Sequence, residues 1–233
     1  MGQESQPRLE TYGSMHETIG QQQHQGRIGL ADLLENPDLC GVGALERLRG
    51  EISIVDGTLV VTAVDSDGKL KSLNDQARSL QATLFVGGSV KKWQVVPLGE
   101  AVGPNDFDKL IGEQATALGI DPSRPFLFLI EGKFTDVRLH VINGACPLHA
   151  RLRNKPIEEG QKPFEREFER VSGKLVGVFA RDAVGKLTHP ATSVHAHLVF
   201  EDQDGQVLTG HLERVGVARD ATLRLPMGER KKP

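Results

Sequence analysis

Much of this chain alternates apolar and polar residues with a period of two, the pattern of strands with one buried face. In "GEISIVDGTLVVTAVDSDGKLKSL", Ile52 and Ile54, then Leu59 and Val61, alternate around Asp56-Gly57, a pair suited to a two-residue hairpin turn. A second turn at "SDG" extends the meander, and "QATLFVGGSVKKWQVVPLG" supplies two further strands. The period then changes. "NDFDKLIGEQATALGI" repeats its apolar residues at helical spacing, with Phe107, Leu110, Ile111, Ala115 and Leu118 on one stripe. Strand character returns in "FLFLIEGKFTDVRLHVI", "KLVGVFARDA", "SVHAHLVFEDQDGQVLTGHL" and "VGVARDATLRLP".

Two short helices are expected before the first sheet. "YGSMHETIGQQQHQG" begins with Ser14 three residues before Glu17, a capping-box pattern, and "RIGLADLLENPDLCG" sets Leu30, Leu33 and Leu34 on one face before Pro37. The charged, proline-broken stretch "RLRNKPIEEGQKPFEREFERVSG" reads as a surface connection or domain junction. The fold class is therefore α+β: two β-rich halves with mixed or antiparallel sheets and a few helices. The expected division is a disordered tail over 1–10, an N-terminal half over 11–122, a C-terminal half over 123–226 and a frayed basic tail over 227–233.

The chemistry concentrates in "SVHAHLVFEDQDGQVLTGHL", which holds three of the chain's eight histidines. Residues two apart on a strand share a face, their Cα atoms about 6.5 to 7 Å apart, so His195 and His197 can reach one ion. A three-residue loop, Gln203-Asp204-Gly205, with Gly205 in the left-handed conformation, pairs Asp202 with Gln206. Counting outward from that pair sets His197 opposite His211. Directly opposed residues have Cβ atoms about 4.5 to 5.5 Å apart, so this register brings three imidazoles together, while Val194, Ala196 and Leu198 face the other way. Three neutral nitrogens with an open position suit a catalytic zinc, and imidazole also binds iron, nickel, copper or manganese. The metal centre is expected on this C-terminal hairpin.

Net charge and composition narrow the partners. A formal charge of -3, from 28 basic and 31 acidic residues, gives no electrostatic drive towards nucleic acid or anionic membrane. Aromatic residues make up 5% of the chain, too few for a base-stacking platform. No run approaches the roughly eighteen apolar residues of a membrane span, and the N-terminus lacks a secretory pattern, so a cytoplasmic location is expected. Cys40 and Cys146 lack zinc-finger spacing and read as free thiols. Exposed edges in so β-rich a chain favour a homodimer.

The stretches "YGSMHETI", "GVGALERLRGEISIVDG", "FLFLIEGKFTDVRLHV", "VSGKLVGVF" and "HAHLVFEDQDGQVLTGHL", in this order, resemble the α-acetolactate decarboxylase family across most of the chain. The resemblance implies a metal-dependent lyase that converts 2-acetolactate, a small hydroxy-keto acid, to acetoin, in a fold of two β-rich halves with zinc on three histidines. It places His195, His197 and His211 on the metal ligands, Glu51 on an active-site carboxylate and Arg138 on an active-site arginine. In that reading the metal and Arg138 stabilise the negative charge left by departing carbon dioxide, and Glu51 donates or relays the proton that completes the product.

The sequence also departs from the family. The stretch from about Leu70 to Gly119 is least similar. His197 and His211 stand fourteen residues apart, where the family has a shorter loop, so residues 201–206 are expected at the pocket rim. Ala44 replaces a threonine, and the nearest match for a second C-terminal acid is Glu229. Two other functions follow from these features. One is decarboxylation of a different hydroxy-keto or β-keto acid in a specialised biosynthetic pathway. The other is a non-catalytic, metal-containing oligomeric binding module similar to the PPC domain, whose "HLH", acidic-Gly turn and "GHL" have comparable spacing.

Overall fold

The expected alternation builds two antiparallel sheets in a computed structural model that describes residues 4–183, 185–189 and 192–230. A two-residue strand, β1 (Glu4–Ser5), precedes the first sheet. That sheet comprises β2 (Glu10–Tyr12), β3 (Ile28–Gly29), β4 (Leu39–Leu45), β5 (Glu51–Val55), β6 (Thr58–Val64), β7 (Leu70–Ser72) and β8 (Gln81–Ser89). Its order is β2-β8-β4-β5-β6-β7, with β3 also on β8. Asp56 and Gly57 both take positive φ, 47° and 73°, as the turn between β5 and β6 requires.

The second sheet comprises β9 (Trp93–Pro97), β10 (Phe126–Val141), β11 (Phe164–Phe179), β12 (Val194–Glu201), β13 (Val207–Val217) and β14 (Thr222–Pro226). β10 pairs with β11 along one edge and with β13 and β14 along the other. Since β11 also pairs with β12, and β12 with β13, these four long strands close into a ring. The final strand, β15 (Glu229–Arg230), pairs with β1, so the two tails meet through their backbones. Residues 1–3 and 231–233 of the tails lie outside the described residues.

Helices are few. α1 (Leu30–Leu33) is a single turn that buries Leu30 and Leu33, and the chain returns to a strand soon after Pro37. α2 (Phe107–Ala117) buries Phe107, Ile111 and Ala115 against the second sheet, whereas Leu118 caps its end and is exposed. α3 is Pro147–Leu152. One half of the Ser14 capping box forms, with the Glu17 amide donating to Ser14 Oγ; Ser14 Oγ in turn donates to Glu17 Oε2, and the turn that follows is a five-residue π-helical segment, His16–Gly20. The expected connection at 151–173 requires correction in its second half. Residues 164–173 are the first part of β11, a charged edge that pairs with β10 alone up to Ser172, whereas β10 there also pairs with β13.

Strand alternation separates the cores. Ile52 and Ile54 face a cluster of the first sheet with Leu30, Val61 and Phe85, while Phe126, Phe128, Ala196, Leu198 and Leu208 fill the interior of the second. Between the sheets, Cys40, Val42 and Val86 meet Leu127, Leu129, Val176 and Val178. Glycines on β4 permit close strand approach: a Cβ on Gly43 would lie 2.2 Å from the Leu84 carbonyl oxygen. Gly43→Ala is expected to destabilise the fold by about 1–3 kcal/mol through overpacking. Urea unfolding checks this, and wild-type stability in the variant would contradict it.

Candidate metal centre

The histidine hairpin has the register its turn predicts. Glu201 pairs with Val207 and His197 with His211, and Gly205 closes the loop at φ 76°. The Asp202 amide donates to the Gln206 carbonyl oxygen at 3.0 Å. Alternation turns Ala196, Leu198 and Leu208 into the core of the second sheet. His195, His197 and His211 consequently face the first sheet. One ligand nitrogen from each lies within 4.8 Å of the others, and all three residues are buried.

The surroundings orient two of these rings. His195 donates from Nδ1 to the Leu187 carbonyl oxygen at 3.0 Å, which leaves Nε2 free to ligate. His197 Nδ1 lies 3.3 Å from Ser53 Oγ and beside the Ile52 carbonyl. Its Nε2 is buried without a hydrogen-bond partner among the described residues, an arrangement that is costly unless something else takes the lone pair. A metal ion fits that requirement. Burial pushes the His195 pKa down to about 3, helped by neighbouring His189, and drives His197 and His211 well below the usual value. The three rings are thus neutral at pH 7, the form a metal needs.

Glu51, the first residue of β5, is 3% exposed, and its Oε2 lies 3.6 Å from His197 Nε2. Its Oε1 accepts the Ile142 amide at 3.2 Å. Burial raises its pKa to about 8 against that stabilising bond, so a mostly protonated acid faces a neutral imidazole and the contact is not an ion pair. Glu51, Ala44, Gly43, His140, His195 and His211 all line one narrow cavity of about 20 Å³. Ala44 therefore gives this cavity wall a methyl group and no hydroxyl.

Other expected residues stand farther from the ligands. Arg138 is partly exposed and pairs with Glu213 at 3.2 Å, Glu165 at 3.5 Å and Glu167 at 3.9 Å. Glu229 pairs through its backbone with Ser5, and its side chain lies outside what the structure describes. Residues 201–206 form an outlying hairpin tip and line none of the cavities described among these residues. That corrects their expected place at the pocket rim: added hairpin length extends away from the histidines.

His140 is the residue that the sequence pattern passed over. It pairs with His211 across β10 and β13, its ring centroid 4.8 Å away, and it is buried. Its Nδ1 donates to Glu213 Oε1 at 2.8 Å. Burial pushes the Glu213 carboxyl up, but hydrogen bonds from His140 and Arg151 outweigh this and hold its pKa at about 2. Period-two alternation already sets Arg138 and His140 on one face; choosing between them requires the long-range β10–β13 pairing. His189 also packs edge-on against His211, at 5.1 Å.

A β-rich protein with a buried three-histidine set between two sheets, able to hold a metal ion, is the class these features define. The sequence profile of the family described as alpha-acetolactate decarboxylase matches residues 12–229, and the chain belongs to that family. Among solved structures, it is similar to the acetolactate decarboxylase of Bacillus subtilis subspecies spizizenii at 16% identity and TM-score 0.69, covering 94% of this chain and 85% of the other. A Staphylococcus aureus protein of unknown function, described as similar to alpha-acetolactate decarboxylase, gives 16% identity, TM-score 0.66 and coverage of 95% and 86%. A PPC protein of Pyrococcus horikoshii gives 18% identity and only TM-score 0.34, over 62% of this chain and 83% of its own. No curated protein matches the sequence. Among the described residues, no helix is long and apolar enough to cross a membrane.

The buried groups imply a stability optimum in metal-free protein. His195, near 3, and His189, near 4, stay neutral in the fold, whereas unfolded histidine takes a proton near pH 6.5; stability is therefore lost as pH falls below about 6.5. Glu51 has the opposite sign. Its fold retains a proton that the unfolded chain sheds near 4.5, so this contribution is lost as pH rises through about 8. Urea unfolding from pH 4.5 to 9 is expected to give a maximum between these limits, and Glu51→Gln to flatten the alkaline side. An unchanged alkaline slope in that variant would reject the assignment.

Proposed function

We propose that this protein is a metal-dependent carboxy-lyase that converts 2-acetolactate to acetoin and carbon dioxide. The observation that carries this reading is the pairing, in a chain of the decarboxylase family, of a buried three-histidine set with a buried acid whose Oε2 is 3.6 Å from a ligand imidazole. His195, His197 and His211 would hold zinc, which suits three neutral nitrogen ligands and supplies Lewis acidity towards the hydroxyl and ketone oxygens of the substrate.

This chain's side chains carry the remaining work. When the carbon–carboxylate bond breaks, its electron pair stays with the organic fragment as an enediolate, and a proton must reach carbon to give acetoin. Glu51 is protonated by burial and faces the cavity, so its Oε2 is assigned that proton transfer; the Ile142 amide on Oε1 keeps the carboxyl in place. Arg138 acts at one remove. With Arg151 it neutralises Glu213, and Glu213 fixes the His140 ring beside His211. A homodimer belongs to the same reading, since β9 ends the second sheet with Val95 exposed.

Zinc-loaded protein supplied with racemic 2-acetolactate is expected to release acetoin, and Glu51→Gln to lower kcat by about a hundredfold or more. Undiminished turnover in the variant would remove Glu51 from the reaction. Elemental analysis is expected to find one divalent metal per wild-type chain and loss of that metal in His197→Ala. Metal-free wild-type protein after zinc loading would exclude the centre.

A further inference from the structure

A second, larger cavity of about 460 Å³ adjoins the metal centre. Ile19, Leu48 and Cys146 line both this cavity and the narrow one that holds Glu51 and the histidines. These three side chains are therefore the apolar boundary that the two cavities share. The outer cavity has a different character: Arg47, Arg49 and Lys155 line it, opposed by the one carboxylate of Glu158, with His24 and His149 alongside. None of the three cations makes an ion pair among the described residues.

The backbone that presents these cations is strained. Arg47 and Leu48 are consecutive non-glycine residues in the left-handed region, at φ 58° and 55°, and the turn closes at Gly50 with φ 147°. Such conformations persist only where surrounding structure holds them. Here they direct Leu48 inward, 2% exposed, while Arg47 stands exposed in the outer cavity. Arg49 is held by Asn143 Oδ1, 2.8 Å from its Nη1. Lys155 follows α3 and is exposed.

A compact hydroxy-keto acid with one carboxylate must keep that group at the reacting end, because it is the group that leaves. All three cations line the outer cavity, and none of them lines the narrow one. We propose that this centre, besides 2-acetolactate, accepts hydroxy-keto or β-keto acids with a second carboxylate, separated from the reacting end by a short apolar stretch and bound by Arg47, Arg49 and Lys155 in the outer cavity. This rests on the decarboxylase reading for the reaction and on the outer cavity for the second charge. The guanidinium forks and the ammonium match a carboxylate, while Ile19, Leu48 and Cys146 accommodate the intervening methylenes.

Calorimetry on zinc-loaded protein at low salt tests the assignment, using straight dicarboxylates from glutarate to suberate against monocarboxylates of equal carbon number. At one chain length or more, the dicarboxylate is expected to bind about five- to tenfold tighter. Arg47→Gln/Lys155→Gln is expected to abolish that preference, and Arg47→Lys/Lys155→Arg to retain it, with urea midpoints confirming that both variants fold. No preference at any length, or one that survives in the glutamine variant, would overturn the proposal. Acetoin release by wild type, measured in parallel, tests the reaction separately: its absence with the preference intact removes acetolactate decarboxylation and leaves the second-carboxylate site standing.

Discussion

A chain of buried polar contacts between the two sheets fixes the geometry on which the site depends. Ser53 of β5 and Thr209 of β13 join through their hydroxyls at 2.6 Å, and the Thr209 amide donates to Thr62 Oγ1 of β6 at 2.7 Å. All three residues are fully buried. A desolvated hydroxyl or amide without a partner costs about 1–3 kcal/mol, so sliding one sheet over the other carries a penalty at several points at once. Apolar packing alone is less directional. The same seam carries Ser53 beside His197, which ties the ligand hairpin to the strand that begins with Glu51.

Charge is sorted across this region. The innermost groups, three histidines and a carboxylic acid, are neutral at pH 7 because burial disfavours their charged forms. Formal charge begins one layer out, at Glu213, which Arg138 and Arg151 compensate. An incoming cation therefore meets nitrogen lone pairs without having to displace protons or break ion pairs at the ligands. His140 stands at the boundary, with its Nδ1 committed to Glu213 and its ring against His211.

Local features of this architecture were legible in the sequence, and features made by distant pairing were not. The Asp56-Gly57 turn, the α2 stripe and the register joining His197 to His211 each depend on neighbouring residues, and each appears in the fold. His140 depends on pairing strands that other elements separate, so no count along the chain picks it out. The charged start of β11 does not read as a strand because, as an edge paired on one side only, it is largely exposed and loses the apolar alternation that marks a half-buried strand. Glu51 was found by resemblance; its environment came from Ile142, far along the chain.

The tip at Gln203–Gly205 has a consequence for how such a protein can change. Pairing across the hairpin is symmetric about that turn, with each residue before it matched to one after it. Matched additions to both arms would lengthen the hairpin by whole rungs at its solvent end while His197 still met His211. A single added residue in one arm would shift every pair beyond it and turn a histidine towards the core, unless a bulge absorbed it. The separation of the second and third ligands is thus an adjustable length with a parity rule, and fourteen residues is one permitted setting.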